Sequence, residues 1–284
     1  FKVLKQMNDY DLIFVHGSNS AMLLCALKRI LHIKTPPILD VDISSFHQAY
    51  TSGIIHRLSQ FSSKAFDYMV YHTSSQIDYY KDQFPWLVHK SKFIHVGVDY
   101  DYWKLKSYPE IKEKDSYIVC VGYRKRDWDT LLKAYDEAKL KEKLYLIGNP
   151  DIKCENKNVV VLPFIPIDKL MTYIVNAKYS VIPLDDFNYS FGQLTILQQM
   201  AFGVPILAAD VPAIRDYISC SDGIISYKPY NIDDLKEKLV KFSKFNKDDM
   251  EQMKKKNIIA VKTLLSEKRM ALEFEKICKM LNEQ

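Results

Sequence analysis

The sequence is short of glycine, with 8 in 284 residues against a usual share of about 7%, so each glycine marks a place where the backbone needs it. Cysteine is sparse too: the five (Cys25, Cys120, Cys154, Cys220, Cys278) are odd in number and widely spaced, mostly inside apolar runs such as Ile118-Val119-Cys120-Val121. That pattern excludes a disulfide framework and fits reduced thiols in the cytoplasm. No CxxC pair or histidine-rich spacing suggests a metal site. There is no stretch of about 18 uncharged apolar positions and no basic-then-apolar leader, so the chain reads as neither membrane-spanning nor visibly secreted. At 48% hydrophobic and 26% charged residues it is not disordered. Forty Lys+Arg against 35 Asp+Glu leave +5, a mild excess that favours an anionic ligand or a lipid surface without demanding nucleic acid.

The length exceeds a single small core, and a prior of about 150 residues per domain points to two units. The sequence starts at Phe1, without methionine and in a helix-like stretch, which suggests a fragment or an absent upstream segment. Four of the eight glycines (Gly17, Gly97, Gly122, Gly148) follow short apolar, β-branched runs, as do strands buried on both faces of a parallel sheet. Further strand candidates are 38–42, 68–72, 159–162, 179–184 and 205–209. Between them, 20–32, 48–60, 75–84, 129–140, 167–176 and 195–202 carry apolar residues at helical spacing. Strand and helix in alternation mean parallel α/β layers. The charged stretch 102–115, with Pro109, reads as a linker, which puts the cut near residue 105: an N-terminal domain over 1–105 and a C-terminal one over 106–266. From Ile232 the chain turns helical and charged, through 233–242, 247–266 and 267–281. Within it Lys254-Lys255-Lys256 reads as a solvated face, with an anionic lipid surface as the alternative.

In open α/β sheets ligands bind where strand ends meet helix N-termini. Gly122-Tyr-Arg124-Lys125-Arg126-Asp127 follows one strand and precedes a helix, so it places cations where a phosphate would sit. The alternative is a surface loop whose basic residues pair with Asp127 and Asp129. A second constellation runs from Asp185 to Met200. Gly192 permits close backbone approach, and the N–H groups of Gln193, Leu194 and Thr195 open a helix. Gln198 lies one turn from Thr195 and can face the same ligand. An ordinary helix capped by Ser190 and Thr195 is the alternative.

Taken together with Phe93-Ile-His-Val-Gly97-Val98-Asp99, Leu146-Ile147-Gly148, Val161-Leu-Pro-Phe-Ile-Pro-Ile-Asp168, Gln198-Gln-Met200-Ala201-Phe-Gly203-Val-Pro205-Ile206 and Asp210-Val-Pro-Ala-Ile-Arg215, these segments resemble retaining glycosyltransferases of the GT-B fold, family 4. The resemblance covers roughly 93–218. It implies two Rossmann-like parallel-sheet domains facing a cleft, with the helix over 267–284 returning to the N-terminal domain. It also implies a nucleotide-sugar donor on the C-terminal domain and a sugar or lipid-linked acceptor on the other. No metal and no further cofactor are expected, because Arg124 and Arg126 would neutralise the donor diphosphate, with Lys125 a weaker candidate. Backbone groups near Phe164 and Ile165 would meet the base, and the Gly192 helix the diphosphate or sugar. No nucleic-acid partner is implied. The setting expected is cytoplasmic, with peripheral contact at a membrane as an option.

The sequence departs from the family at one point. The paired glutamates of the family fall here on Ser190 and Gln198, neither a carboxylate; Ser190 can still meet a sugar hydroxyl and stands with His16 and Asp42 as a catalytic candidate, and a nucleotide-sugar-binding homologue without transferase activity stays open beside the enzyme. An epimerase or phosphorylase is a third reading, without a pyridoxal-binding lysine motif to support the latter. On the N-terminal side His16 and Asp42 end strands and resemble cleft-facing positions. Asp42 would stabilise positive charge at the anomeric carbon or orient the acceptor hydroxyl. The alternatives are a histidine satisfied within the sheet and an N-cap to 43–48. His72 reads as structural. Only about four strands precede the linker, fewer than a GT-B N-terminal domain carries and without its glycine-rich opening, so that domain is expected to be incomplete or reduced.

Overall fold

A computed structural model describes residues 6–17, 19–43, 46, 51–111 and 116–283. The expected helical opening of the chain and parts of the 48–60 helix and the 102–115 linker fall outside these residues. The chain divides into two compact units: Phe1–His95 with Asn188–Phe191 and Lys268–Gln284, and Val96–Phe187 with Gly192–Glu267. Among the described residues no helix is long and apolar enough to cross a membrane.

The first unit holds a four-stranded parallel sheet, in the order β1 (Ile13–His16), β2 (Ile38–Asp42), β3 (Tyr68–Tyr71) and β4 (Ser91–Phe93). β2 is buried along its whole length, and its period of two sorts its residues between two cores. Leu39 and Val41 join Val70, Ile94, Ile277 and Leu281, the last two from the C-terminal helix Glu267–Asn282. Ile38 faces the other way, into an aromatic core with Phe46, Phe66, Tyr80 and Phe84. Helices α1 (Asn19–Leu31), α2 (Ile54–Ser63), α3 (Gln76–Gln83) and α4 (Pro85–Val88) complete this unit's chain between strands. The apolar run ending at Gly97 does not close a strand, since β4 stops at Phe93. Gly97 is instead a close approach, for a Cβ there would lie 2.5 Å from the Cα of Glu267.

The second unit begins at Val96, and its first helix, α5 (Tyr100–Leu105), overlaps the start of the stretch read as linker. Its sheet is built from β5 (Tyr117–Val121), β6 (Lys143–Ile147), β7 (Val159–Leu162), β8 (Tyr179–Ile182), β9 (Ile206–Ala209) and β10 (Ile224–Tyr227). All neighbours are parallel, in the order β10-β9-β8-β5-β6-β7. From β5 the chain winds outward through β6 and β7, then crosses back to β8 and winds the other way, the doubly wound arrangement of a nucleotide-binding sheet. The intervening helices are α6 (Trp128–Ala138), α7 (Ile167–Val175), α8 (Gln193–Ala201), α9 (Pro212–Ile218), α10 (Ile232–Ser243) and α11 (Lys247–Thr263), and the C-terminal helix is α12. Side chains fix the helix starts: Asp127 accepts the N–H of Thr130 at 3.0 Å to open α6, and Asn246 and Asp249 cap α11 reciprocally.

Candidate functional site

The strand order of the second unit reverses between β5 and β8, which pair directly through Ile118 with Tyr179 and Val119 with Ser180. Loops leaving the carboxyl ends of these two strands diverge and leave a crevice, the usual ligand position in such sheets. Both loops carry the candidates read from the sequence.

The loop after β5 is curled around one arginine. Arg126 is buried, and its guanidinium donates from Nε and Nη2 to the carbonyl of Val121 at 3.3 and 3.1 Å. From Nη1 it donates to the carbonyls of Arg124 at 3.1 Å and Lys125 at 3.4 Å. Gly122 makes this possible. Its φ is 138°, and a Cβ there would stand 2.6 Å from Nη2 of Arg126. Burial pulls the Arg126 pKa below the usual arginine range, yet a guanidinium remains a cation at any ordinary pH. Asp185 is the carboxylate that acts on it, and the Asp185 carboxyl is itself raised, by burial and by Asp127 against the opposing pull of Lys125 and Arg126. Arg126 therefore acts through the loop it shapes, and Arg124 stands exposed on that loop.

The two loops are laced together. The N–H of Asp127 donates to the carbonyl of Pro183 at 2.8 Å, the N–H of Asp185 to that of Lys125 at 3.3 Å, and Arg126 forms a backbone bridge with Leu184. The Leu184 side chain in turn lies 2.9 Å from where a Cβ on Gly192 would be. The basic loop and the start of α8 thus meet at one residue. Gly192 sits at φ 89° and offers no side-chain cap, and the first turn of α8 carries no acidic residue. Its leading N–H groups and its positive dipole end are those of an anion site.

Of the α8 candidates, Leu194 is exposed, and Thr195 and Gln198 are half-buried. Gln193 turns inward and donates from Nε2 to the carbonyl of Ala213 at 2.8 Å, so its side chain is turned away from a ligand. Phe164 and Ile165, after β7, part company. Ile165 packs into the core with Tyr117 and Tyr145, whereas Phe164 is 70% exposed. The Phe164 ring stands 5.6 Å from that of Tyr123, edge to face. Tyr123, on the loop after β5, was not singled out in the sequence. Its signal was its place beside Gly122, within the same strand-end loop as the arginines.

The three residues proposed for catalysis fall in the first unit. His16 is exposed at the end of β1, ahead of Gly17 at φ 56°. Asp42 corrects the expectation of a cleft-facing carboxylate, for it is 0% exposed. One oxygen accepts the N–H of Phe46 at 3.3 Å, and the other accepts Tyr80 Oη at 2.5 Å and Gln76 Nε2 at 3.3 Å. It braces the segment after β2 against α3, close to the capping alternative, although most of 43–48 lies outside the described residues. Ser190 is buried as well. His72 is structural in its surroundings: buried, with Nδ1 at 2.6 Å from the carbonyl of Ile94, and with its pKa lowered by burial.

Residues 115–244 match the family of glycosyl transferases, group 1. Among solved structures the chain is similar to sucrose-phosphate synthase from Thermosynechococcus elongatus, with a TM-score of 0.74 and 15% identity over 99% of this chain and 79% of that one. It is also similar to Anabaena HepE in complex with UDP, with a TM-score of 0.76 and 12% identity over 98% and 81% of the two chains. A glycosyltransferase from Rickettsia africae gives a TM-score of 0.74 at 14% identity, over 99% and 79%. The chain has the GT-B fold. A search of curated proteins by sequence finds no match. The second unit of this GT-B protein contains all of the matched residues except Asn188–Phe191, which belong to the first.

Proposed function

We propose that this GT-B protein binds a nucleotide-sugar donor on its second unit and transfers the sugar, with retention, to the hydroxyl of a glycan or lipid-linked acceptor. One observation carries the reading: the arginine-curled loop after β5 and the uncapped N-terminus of α8 converge at Leu184, on the strand pair where the sheet order reverses. A diphosphate there would meet the leading N–H groups of α8 and the Arg124 guanidinium. Charge on the departing diphosphate grows as the glycosidic bond breaks, so these donors stabilise the transition state more than the bound donor. Tyr123 and Phe164 offer exposed ring faces for a base. Thr195 and Gln198 are the polar side chains of α8 left to the ribose or sugar. Crystal structures of Anabaena HepE hold UDP and UDP-glucose, which makes uridine nucleotides the first donors to try.

In the first unit His16 is the proposed catalytic side chain that solvent reaches, at a strand's carboxyl end where it can orient an acceptor hydroxyl. The second reading, a nucleotide-sugar-binding homologue without turnover, draws on Ser190 and Gln198 in place of carboxylates and on the burial of Asp42.

The deciding experiment is calorimetric binding against UDP-, GDP-, ADP- and dTDP-sugars, each followed by an assay for released nucleotide. Binding with release supports the transferase. Binding without release favours the inactive homologue, and no binding of any of them overturns the proposal.

A further inference from the structure

Tyr230 stands on a turn that does not suit it. Lys228 to Asn231 form a β-turn after β10, closed by the N–H of Asn231 donating to the carbonyl of Lys228 at 3.3 Å, with Pro229 in the second position. Tyr230, in the third, lies at φ 57°. Glycine or asparagine ordinarily takes a position of that kind, because a side chain there strains the backbone. The turn itself is firmly held: Asp234 Oδ2 accepts the N–H of Lys228 at 2.7 Å, and Asn231 Oδ1 accepts that of Asp234 at 2.9 Å. The Tyr230 side chain is 56% exposed, so burial of apolar surface does not offset the strain.

What the side chain reaches is a main-chain amide 44 residues earlier in the chain. The Tyr230 hydroxyl accepts the N–H of Asp186 at 2.8 Å, on the loop leaving β8, and it does so across the end of β9, which lies between β8 and β10 in the sheet. Both residues are exposed, and a hydrogen bond open to water adds little to stability. The residues on either side are fixed from other strand ends. The N–H of Asp185 donates to the carbonyl of Lys125, which follows β5 and is itself at φ 57°, and the carbonyl of Phe187 accepts the N–H of Ala213, which follows β9. Two non-glycine residues in the left-handed region thus serve adjacent amides of one loop. Strain of this kind persists where the surroundings over-determine it, and it gathers at ligand clamps and active sites.

We propose that Tyr230 is a positioning residue for the donor. By taking the Asp186 N–H it holds the loop from Asp185 to Phe187 on the course that leads to α8, so that a bound donor does not have to order that loop. The inference rests on the donor site proposed above and deepens it. The contact lies away from the reacting atoms and is the same in the bound donor and in the transition state, so its loss falls on affinity and leaves turnover alone.

The test is Tyr230→Phe, which removes the hydroxyl and keeps the ring. The readouts on the 284-residue chain are amide hydrogen exchange at Asp186, titration calorimetry with UDP-, GDP-, ADP- and dTDP-glucose, and the steady-state rate of nucleotide release from the one that binds. The expected result is exchange at Asp186 at least about tenfold faster, donor affinity about 3- to 10-fold weaker, and KM raised by a similar factor with kcat within about twofold of the wild type. The melting temperature should stay within about 1 °C. Tyr230→Gly, which relieves the strain as it removes the hydroxyl, should lose as much affinity and melt no lower than Tyr230→Phe. Unchanged exchange or unchanged affinity in Tyr230→Phe would overturn the proposal, as would a fall in kcat at constant KM. Tyr230→Gly melting several degrees below the wild type would also overturn it, by making the residue a support of the fold. Failure of the donor site itself looks different: the wild-type chain then binds none of the four donors, and the positioning role falls with it.

Discussion

Arg124 and Arg126 look alike in the sequence, and the structure gives them opposite kinds of work, so replacing each by alanine should give opposite kinds of loss. Arg126→Ala removes a buried guanidinium and leaves the carbonyls of Val121, Arg124 and Lys125 without the donors that now reach them. Hydrogen bonds from a charged donor contribute about 1.5–3 kcal/mol each but do not add, and breaking a buried charged contact costs about 3–5 kcal/mol. For a domain of this size about 2–4 °C of melting temperature follows each kcal/mol, so the second unit should melt on the order of 10 °C lower. Arg124 is exposed, and Arg124→Ala should leave the melting temperature within about 1 °C. Its loss should appear in binding, where one charge-assisted phosphate contact of about 1–2 kcal/mol is about 5- to 30-fold in Kd. Differential scanning calorimetry reads the first effect and titration calorimetry with UDP the second. Arg126→Ala melting with the wild type would refute the account of the loop. Arg124→Ala binding UDP unchanged would take the exposed arginine out of the site.

Tyr123→Ala and Phe164→Ala should each weaken UDP by about 1 kcal/mol or more while leaving pyrophosphate binding unchanged; equal effects on both ligands would remove the aromatic pair from base recognition. Asp40 is buried, both its oxygens are without hydrogen-bond partners among the described residues, and burial together with Asp42 holds its carboxyl well above the usual carboxylate range. A folded-state value above the unfolded one of about 3.9 makes this group's contribution complete below about pH 4 and lost as pH rises through the folded value. Urea denaturation at several pH values should show Asp40→Asn gaining on the wild type above about pH 4; parallel curves would contradict this. Asn257 donates to the carbonyls of Val204 at 2.8 Å and Gly223 at 3.2 Å and accepts Ser221 Oγ at 2.6 Å, all out of water. Asn257→Ala should therefore cost about 3 kcal/mol in chemical denaturation, and a cost under about 1 kcal/mol would mean the network is dispensable. Gly97→Ala would push a methyl to 2.5 Å from the Glu267 backbone and should destabilise the second unit by about 1–3 kcal/mol.

The core strands of the second unit were legible because burial on both faces writes itself as an unbroken apolar run: Tyr117 to Val121 and Ile206 to Ala209 could hardly be anything else. β10, with Ser226 in its middle at the sheet's edge, carries no such run and was not found. α5 and α9 are short and sit among charges and a proline, so their periodicity is too brief to register.

The candidate site divides along the same line. That cations follow β5 is a fact of sequence; that one of them folds back under its own loop is a fact of backbone curvature, signalled only by Gly122 four positions before Arg126. For α2 the sequence holds a helical period but not its sense. The stripe 54, 55, 58, 61 would normally be assigned to the core, and what turns it outward is non-local: the carbonyl of Gln83, the indole of Trp86 and the ring of Phe84 all receive the opposite face. Periodicity measures how strongly a helix distinguishes two environments. Which environment lies on which side is decided by the partners the rest of the chain supplies: Gln83, Trp86 and Phe84 hold the polar face of α2 inward, even though Ser62 Oγ on that same face meets no hydrogen-bond partner among the described residues.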